Sequence, residues 1–150
     1  MEINFKTIDP ENWRIATSLK VKISQAKYVA PSTTILARAF AYRSSNSEVY
    51  IIYNANTPIG IIMQYDYSEN DKLVCSLNEF MISEKYQGKG YGKQAMKLWI
   101  SMIKEKNLYD SISLCYIEGN KPACNLYLNM GFYHTGLVDG NEIVMKYDLN

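Results

Sequence analysis

The stretch Gln87-Gly88-Lys89-Gly90-Tyr91-Gly92-Lys93 limits what this chain can fold into more than any other. An apolar run, Leu77 to Ile82, precedes it. The segment Lys93 to Lys106 that follows carries Ala95, Met96, Trp99, Met102 and Ile103 at helical spacing. These patterns predict a strand, a glycine loop and a helix in that order. Glycines at alternate positions let the backbone turn its N–H groups inward with no Cβ in the way, and the helix start adds unpaired donors and the positive end of its dipole. A loop of this kind suits a phosphate group.

Several phosphate-binding loops use glycine and lysine, and the flanking residues separate them. A Walker A loop needs Ser or Thr after Gly-Lys to reach Mg²⁺, whereas Gly92-Lys93 is followed by Gln94. Gly90 to Ala95 satisfies the dinucleotide pattern G-x-G-x-x-A, yet the polar run Ser83 to Gln87 separates it from the strand, and no clear acidic strand end follows. A plain surface turn before an amphipathic helix is the structural alternative. Read from Gln87, the stretch is Q-x-x-G-x-G, and it resembles the acyl-CoA pyrophosphate loop of the GNAT superfamily of N-acetyltransferases. Downstream, Asn120, Ala123, Leu126-Tyr127 and Gly131-Phe132 resemble that family's second block, N-x-x-A-x-x-L-Y-x-x-x-G-F.

The resemblance implies an α/β (α+β) GNAT fold in a single domain over residues 1–150, with a mixed central sheet of about six to seven strands flanked by about four helices. It also implies acetyl-CoA as co-substrate, without a metal, and acetyl transfer to a primary amine by direct attack in a ternary complex. Backbone amides of Gln87, Gly88, Lys89, Gly90, Tyr91, Gly92 and Lys93 would hold the pyrophosphate. Phe80, Met81 and Ile82 would pair with the pantetheine arm, one of their N–H groups polarising the thioester carbonyl, and Asn120 would touch the coenzyme. Tyr127 would be the general acid beside the coenzyme sulfur; the alternative is a core tyrosine next to Leu126 and Leu128. Glu79 is the one carboxylate inside Leu77 to Ile82. Partial burial would suit it to take an amine proton or to anchor a cationic substrate, and otherwise it is a solvated strand residue. An acyl-cysteine route through Cys124 and His134 lacks a third, orienting group in the sequence.

For the acceptor, Gln25, Tyr28, Val29, Ala30 and Pro31 resemble the polyamine-acetylating branch, the bacterial spermine/spermidine and diamine acetyltransferases. Tyr28 and its neighbours would then contact the substrate, with Glu48, Asp66, Glu69, Asp71 and Glu79 as acids near the mouth. A different amine, such as a protein N-terminus or an aminoglycoside, and a non-catalytic acyl-CoA sensor are the other readings. A homodimer is left open.

The remaining pattern predicts a strand from Ile3 to Ile8, then a helix opened by Asp9-Pro10-Glu11, with Ile15, Leu19 and Ile23 buried and an end near Ser24 to Lys27. A second helix would be capped by Ser32 and bury Ile35, Leu36, Ala39 and Phe40. A hairpin spans Val49 to Tyr67, a strand Leu73 to Ile82, and a strand Ser111 to Tyr116 parallel to it because a helix connects them. A short helix then runs from Asn120 to Gly131, and a last hairpin turns at Asp139-Gly140. Lys and Arg number 16 against 15 acidic residues, a net charge of +1 that argues against nucleic acid or a membrane as the main partner. The start of the chain lacks a basic, apolar leader, so a cytoplasmic location is expected. Cys75, Cys115 and Cys124 are expected as reduced thiols acting as small core residues.

Overall fold

Runs of β-branched and aromatic residues form seven strands, and helices cover both faces of the sheet they make. The computed structural model describes all residues, Met1–Asn150. The strands are β1 (Ile3–Thr7), β2 (Glu48–Asn54), β3 (Thr57–Glu69), β4 (Lys72–Ile82), β5 (Ser111–Ile117), β6 (Tyr133–Asp139) and β7 (Glu142–Asp148). They lie in the order β1-β2-β3-β4-β5-β7-β6. The helices are α1 (Trp13–Ser18), α2 (Ser32–Ala41), α3 (Tyr91–Lys106) and α4 (Lys121–Met130). Every pairing is antiparallel except β4 with β5, which the crossover through α3 makes parallel.

Two cores result. Met96, Trp99 and Ile103 of α3 and Tyr127 of α4 pack on Ile52, Ile62 and Leu77, while Ala16 and Ile35 from α1 and α2 pack on Ile51, Ile61 and Met63. Each fully buried aliphatic side chain contributes about 1.5–3 kcal/mol. Trp99 brings a polar handle into the first core and donates it to Gln64 Oε1 at 2.7 Å.

The N-terminal helix is shorter than its pattern predicts. The Asp9 carboxylate accepts the N–H groups of Glu11 and Asn12 at 2.9 Å each, and the Asn12 side chain reaches back to the Asp9 N–H and the Thr7 carbonyl at 2.8 Å each. That closed turn delays the helix to Trp13. At the other end Leu19 is extended, its carbonyl taken by the Ser32 hydroxyl, and the Lys20 carbonyl accepts the Glu84 N–H at 3.0 Å. The chain from Leu19 onward therefore runs beside the loop after β4, and Ile23, expected on the buried stripe, is 95% exposed. Ser32 is the first residue of α2, with Pro31 before it, and Phe40 is exposed beneath the Arg43 guanidinium instead of buried. Cys115 is exposed, unlike Cys75.

The feature that positions the site is an irregularity in β4. Met63 pairs with Glu79 but Gln64 with Leu77, so Asn78 is an extra residue, a β-bulge. Cys75 and Leu77 face α3 and α4; beyond the bulge Phe80 and Ile82 do so, and Met81 turns to the α1/α2 side. The bulge also ends the parallel ladder, whose last pair is Leu77 with Leu114. From there β5 pairs only with β7 and β4 only with β3, and the sheet splits. Gly60 lets β3 follow β4 past this point: a Cβ on it would lie 2.3 Å from the Met81 carbonyl oxygen.

Candidate active site

Where β4 and β5 separate, a cavity of about 430 Å³ opens between them. Glu79, Phe80, Met81 and Ile82 line it from β4, Cys115 and Tyr116 from β5, and Tyr127 from α4. Tyr28 and Gln25 close the side next to α2, and Gln87, Gly88, Gly92 and Asn120 line it on the side of the helix starts. Lys89, Gly90, Tyr91 and Lys93 are not in its wall.

The glycine loop adopts the shape its residues allow. Gly88 and Gly90 have φ of 72° and 86°, left-handed values that a Cβ disfavours. None of the N–H groups from Gly88 to Lys93 donates to an acceptor in the protein, so a row of donors meets the positive end of α3. These amides suit a diphosphate. Gln87 does something else with its side chain: Nε2 donates to the Ile82 carbonyl and to Gln25 Oε1, both at 2.8 Å, which ties the loop to the end of β4 and to the N-terminal segment. The Tyr91 ring packs edge-on to Tyr86, and its hydroxyl accepts from Asn54 at 3.2 Å.

Tyr127 is placed by the two ends of α4. Asn120 caps the helix, accepting the Ala123 N–H at 3.4 Å, and Pro122 occupies its first turn. Gly131, with φ of 103°, ends it, and the Phe132 N–H donates to the Tyr127 carbonyl at 3.0 Å. The Tyr127 ring meets Phe132 edge-to-face at 5.8 Å and is 7% exposed. Its hydroxyl bonds no protein group, and no fully buried side-chain oxygen lacks a partner, so the hydroxyl opens on the cavity. Burial first, and the charge of Glu79 second, push it well above the ordinary tyrosine range. It therefore holds its proton at neutral pH.

Glu79 is not a solvated strand residue. Its Oε1 accepts from Arg38 Nη1 at 2.7 Å, and the same nitrogen bonds Asn78 Oδ1 at 3.2 Å. Burial raises its carboxyl above the usual range, while the Arg38 hydrogen bond and charge and the Ala30 amide oppose the rise, and Glu142 adds to it. Sequence reasoning missed Arg38, because a lone arginine on an amphipathic helix carries no local signal of its partner.

Four of the acids expected at the mouth are elsewhere. Asp66 accepts from the Tyr109 hydroxyl at 2.8 Å, and Glu69 pairs with Lys146 at 2.6 Å, both toward the end of β3 that joins the turn at Asn70 and Asp71. The meander puts that turn at the start of β4, opposite its cavity end, and Glu48 pairs with Gln64 short of the cavity. Only Glu79 of the five lines it. Acids from the last hairpin stand near the cavity-lining Cys115: burial, then Glu142 and Asp139, raise its thiol.

Cys124 Sγ lies 3.9 Å from His134 Nε2, but the Tyr116 hydroxyl is 2.7 Å from that same nitrogen. Burial and Cys124 push Tyr116 up to about 12. His134 Nδ1 is held by no acceptor, so the orienting group of a nucleophile triad is missing from the structure as it is from the sequence.

A split sheet with a free strand edge and a donor-lined loop at the gap defines the class of transferases that seat an acyl-CoA in such a cleft. The model of the acetyltransferase (GNAT) family matches residues 15–132, and the chain belongs to that family. It is an N-acetyltransferase with acetyl-CoA as co-substrate. Spermine/spermidine N(1)-acetyltransferase of Bacillus subtilis is 29% identical over 152 residues, which span 97% of this chain and 99% of that protein. A probable spermine N(1)-acetyltransferase of B. subtilis subsp. natto is 28% identical with the same coverage. Among solved structures, spermidine N-acetyltransferase from Vibrio cholerae in complex with CoA and spermine superposes with a TM-score of 0.77 at 14% identity, covering 99% of this chain and 96% of that one. An aminoglycoside acetyltransferase in complex with coenzyme A gives 0.82 at 12% identity, covering 98% and 95%. No helix is long and apolar enough to cross a membrane.

Proposed function

We propose that this enzyme acetylates a primary amine of an aliphatic polyamine, spermidine or spermine, by direct transfer within the cavity between β4 and β5. The observation that carries the reading is that one cavity is lined by Gln87, Gly88 and Gly92 of the glycine loop together with Tyr127, Glu79 and Tyr28. The names of the two curated relatives support the acceptor class.

Acetyl-CoA brings an acetyl group already activated as a thioester. Amides from Gly88 to Lys93 hold its diphosphate, and the free edge of Phe80, Met81 and Ile82 pairs with the pantetheine arm and offers an N–H to the thioester carbonyl. A polyamine arrives as an ammonium, with a pKa near ~10, so the site must bind the cation and then remove its proton. Glu79 receives that proton, directly or through a water. Tyr127 donates its proton to the departing sulfur as the C–S bond breaks and regains one from the second proton that leaves the amine nitrogen, so that each cycle releases only the proton taken up by Glu79 when the amine enters charged. Asp139 and Glu142 at the last hairpin supply negative charge for the remaining ammonium groups.

A comparison of kcat/KM across spermine, spermidine, putrescine, an aminoglycoside and a short peptide with a free N-terminus tests the acceptor. The polyamines are expected to lead. A tenfold lead for the peptide or the aminoglycoside, about 1.4 kcal/mol of transition-state preference, removes the polyamine assignment. Acetyl-CoA binding without turnover of any amine indicates a sensor.

A further inference from the structure

Arg38 is on α2, outside the cavity wall, and reaches β4 at its bulge. Its guanidinium nitrogen Nη1 holds two neighbours at once, Glu79 Oε1 at 2.7 Å and Asn78 Oδ1 at 3.2 Å. The side chains of Arg38 and Glu79 are 34% and 14% exposed. Asn78 is the extra residue of the bulge, so the irregularity that turns Glu79 toward α2 also supplies the second acceptor for the arginine. The other carboxylate oxygen of Glu79 bonds no side chain, the Ala30 N–H being the one further donor beside the carboxylate, and Glu79 lines the cavity. We propose that Arg38 is a positioning residue for the acceptor: it fixes the Glu79 carboxylate through one oxygen and the bulge through Asn78, and leaves the second oxygen to meet the incoming amine. What the carboxylate meets rests on the amine-acetylation reading above; the coupling of Arg38 to Glu79 does not.

A carboxylate this deeply placed, if unpartnered, takes up a proton, and a protonated Glu79 can neither accept a proton nor hold an ammonium. The groups facing it come from every side. Arg38 is on α2, the Ala30 N–H lies just before that helix, Tyr127 is on α4 and Glu142 is at the start of β7, while Lys22 shares the cavity wall. Burial and Glu142 favour the protonated form; Arg38 and the Ala30 amide favour the charged one. Arg38 is the one cation hydrogen-bonded to the carboxylate. Taking it away moves Glu79 further toward protonation, so more of the base is lost as the pH falls and it is regained as the pH rises. Lysine keeps the charge but carries it on a freely rotating ammonium, without the planar guanidinium that fixes the directions in which Nη1 donates to Glu79 and Asn78.

The test uses the whole protein and two readouts, with Arg38→Gln and Arg38→Lys beside the wild type. The ¹³C resonance of the Glu79 carboxyl, assigned with Glu79→Gln, is titrated in the absence of substrate. Its midpoint is expected to move to higher pH in Arg38→Gln and to stay near the wild-type value in Arg38→Lys. In parallel, kcat/KM for spermidine at pH 7 is expected to fall about tenfold to a hundredfold in Arg38→Gln, the range a misplaced catalytic group costs, with the acid limb moving with the resonance and the KM for acetyl-CoA unchanged. In Arg38→Lys the rate should drop at every pH without a moved limb. An unmoved midpoint and acid limb in folded Arg38→Gln overturns the proposal. Should that variant not fold, Arg38→Lys decides alone, and wild-type kcat/KM in it overturns the positioning role. A moved midpoint in a protein that acetylates no amine leaves the pairing standing and removes the function proposed above.

Discussion

The two walls of the cavity are built by different means. The wall proposed to take the coenzyme consists of the glycine loop, the start of α3, and α4 with its cap at Asn120 and its stop at Gly131, all local in sequence and built from backbone N–H groups and helix ends. The wall proposed to take the acceptor is assembled from distant parts: Arg38 bonds Glu79 across 41 positions, Gln25 meets Gln87 across 62, and Glu84 donates to the carbonyl of Lys20. Backbone recognition of a constant partner needs only the right turns at the right spacing. Side-chain recognition of a particular amine needs residues that no short pattern relates to one another.

That contrast sharpens most at Tyr127, where the walls meet. Tyr127→Phe is expected to lower kcat by about a hundredfold or more, a general-acid contribution, while acetyl-CoA affinity by calorimetry and the melting temperature change little. The fold should hold, since the ring keeps its contact with Phe132 and the hydroxyl makes no internal hydrogen bond to lose. Unchanged turnover, with chemistry rate-limiting, assigns the proton to another donor.

Glu79→Gln should act on the acceptor wall alone, with kcat/KM for spermidine falling by about tenfold or more at neutral pH and acetyl-CoA affinity retained. The pH profile has a defined sign. Glu79 must be charged to act, and its carboxyl titrates above the usual range because of burial. Activity therefore rises with pH through that raised value, and Tyr127, held protonated by burial, adds no falling limb near neutrality. A rate independent of pH on the acid side in the wild type contradicts this assignment.

Gly88→Ala should act on the coenzyme wall alone. No atom lies within 4 Å of a Cβ built there, so any effect comes from φ of 72° and not from a clash. A non-glycine residue in that region costs about 1–2 kcal/mol, and if the loop relaxes and binding must restore it, acetyl-CoA affinity drops about tenfold. Equal binding by calorimetry means the loop does not need this turn. The smallest effect belongs to Ile23→Ser: a residue 95% exposed should change stability by less than about 0.5 kcal/mol, where a buried helix stripe would lose several times more.

Legibility follows the same division. Q-x-x-G-x-G and the block from Asn120 to Phe132 placed the loop, α3, α4 and Tyr127, and the connecting helix required the parallel β4–β5 pair. The early segment was misread because apolar spacing at Ile15, Leu19 and Ile23 describes a helix only if nothing competes. Here the Asp9–Asn12 turn delays it, and the bonds of the Leu19 and Lys20 carbonyls to Ser32 and Glu84 end it. The acids were misplaced because charge along a strand says nothing about which end of the sheet opens. That depends on Asn78, an asparagine whose extra position in the ladder shows only once β3 is paired beside it.

With both walls serving one cavity, the acetyl group is expected to pass directly from coenzyme to amine. A single-turnover experiment tests it: the enzyme is mixed with a substoichiometric amount of acetyl-CoA, and intact-protein mass is followed before and after spermidine is added. The account predicts an unmodified protein throughout, with free coenzyme A and acetylspermidine appearing together only once the amine is present. Coenzyme A released before the amine, with a protein heavier by one acetyl group on Cys124, would contradict it.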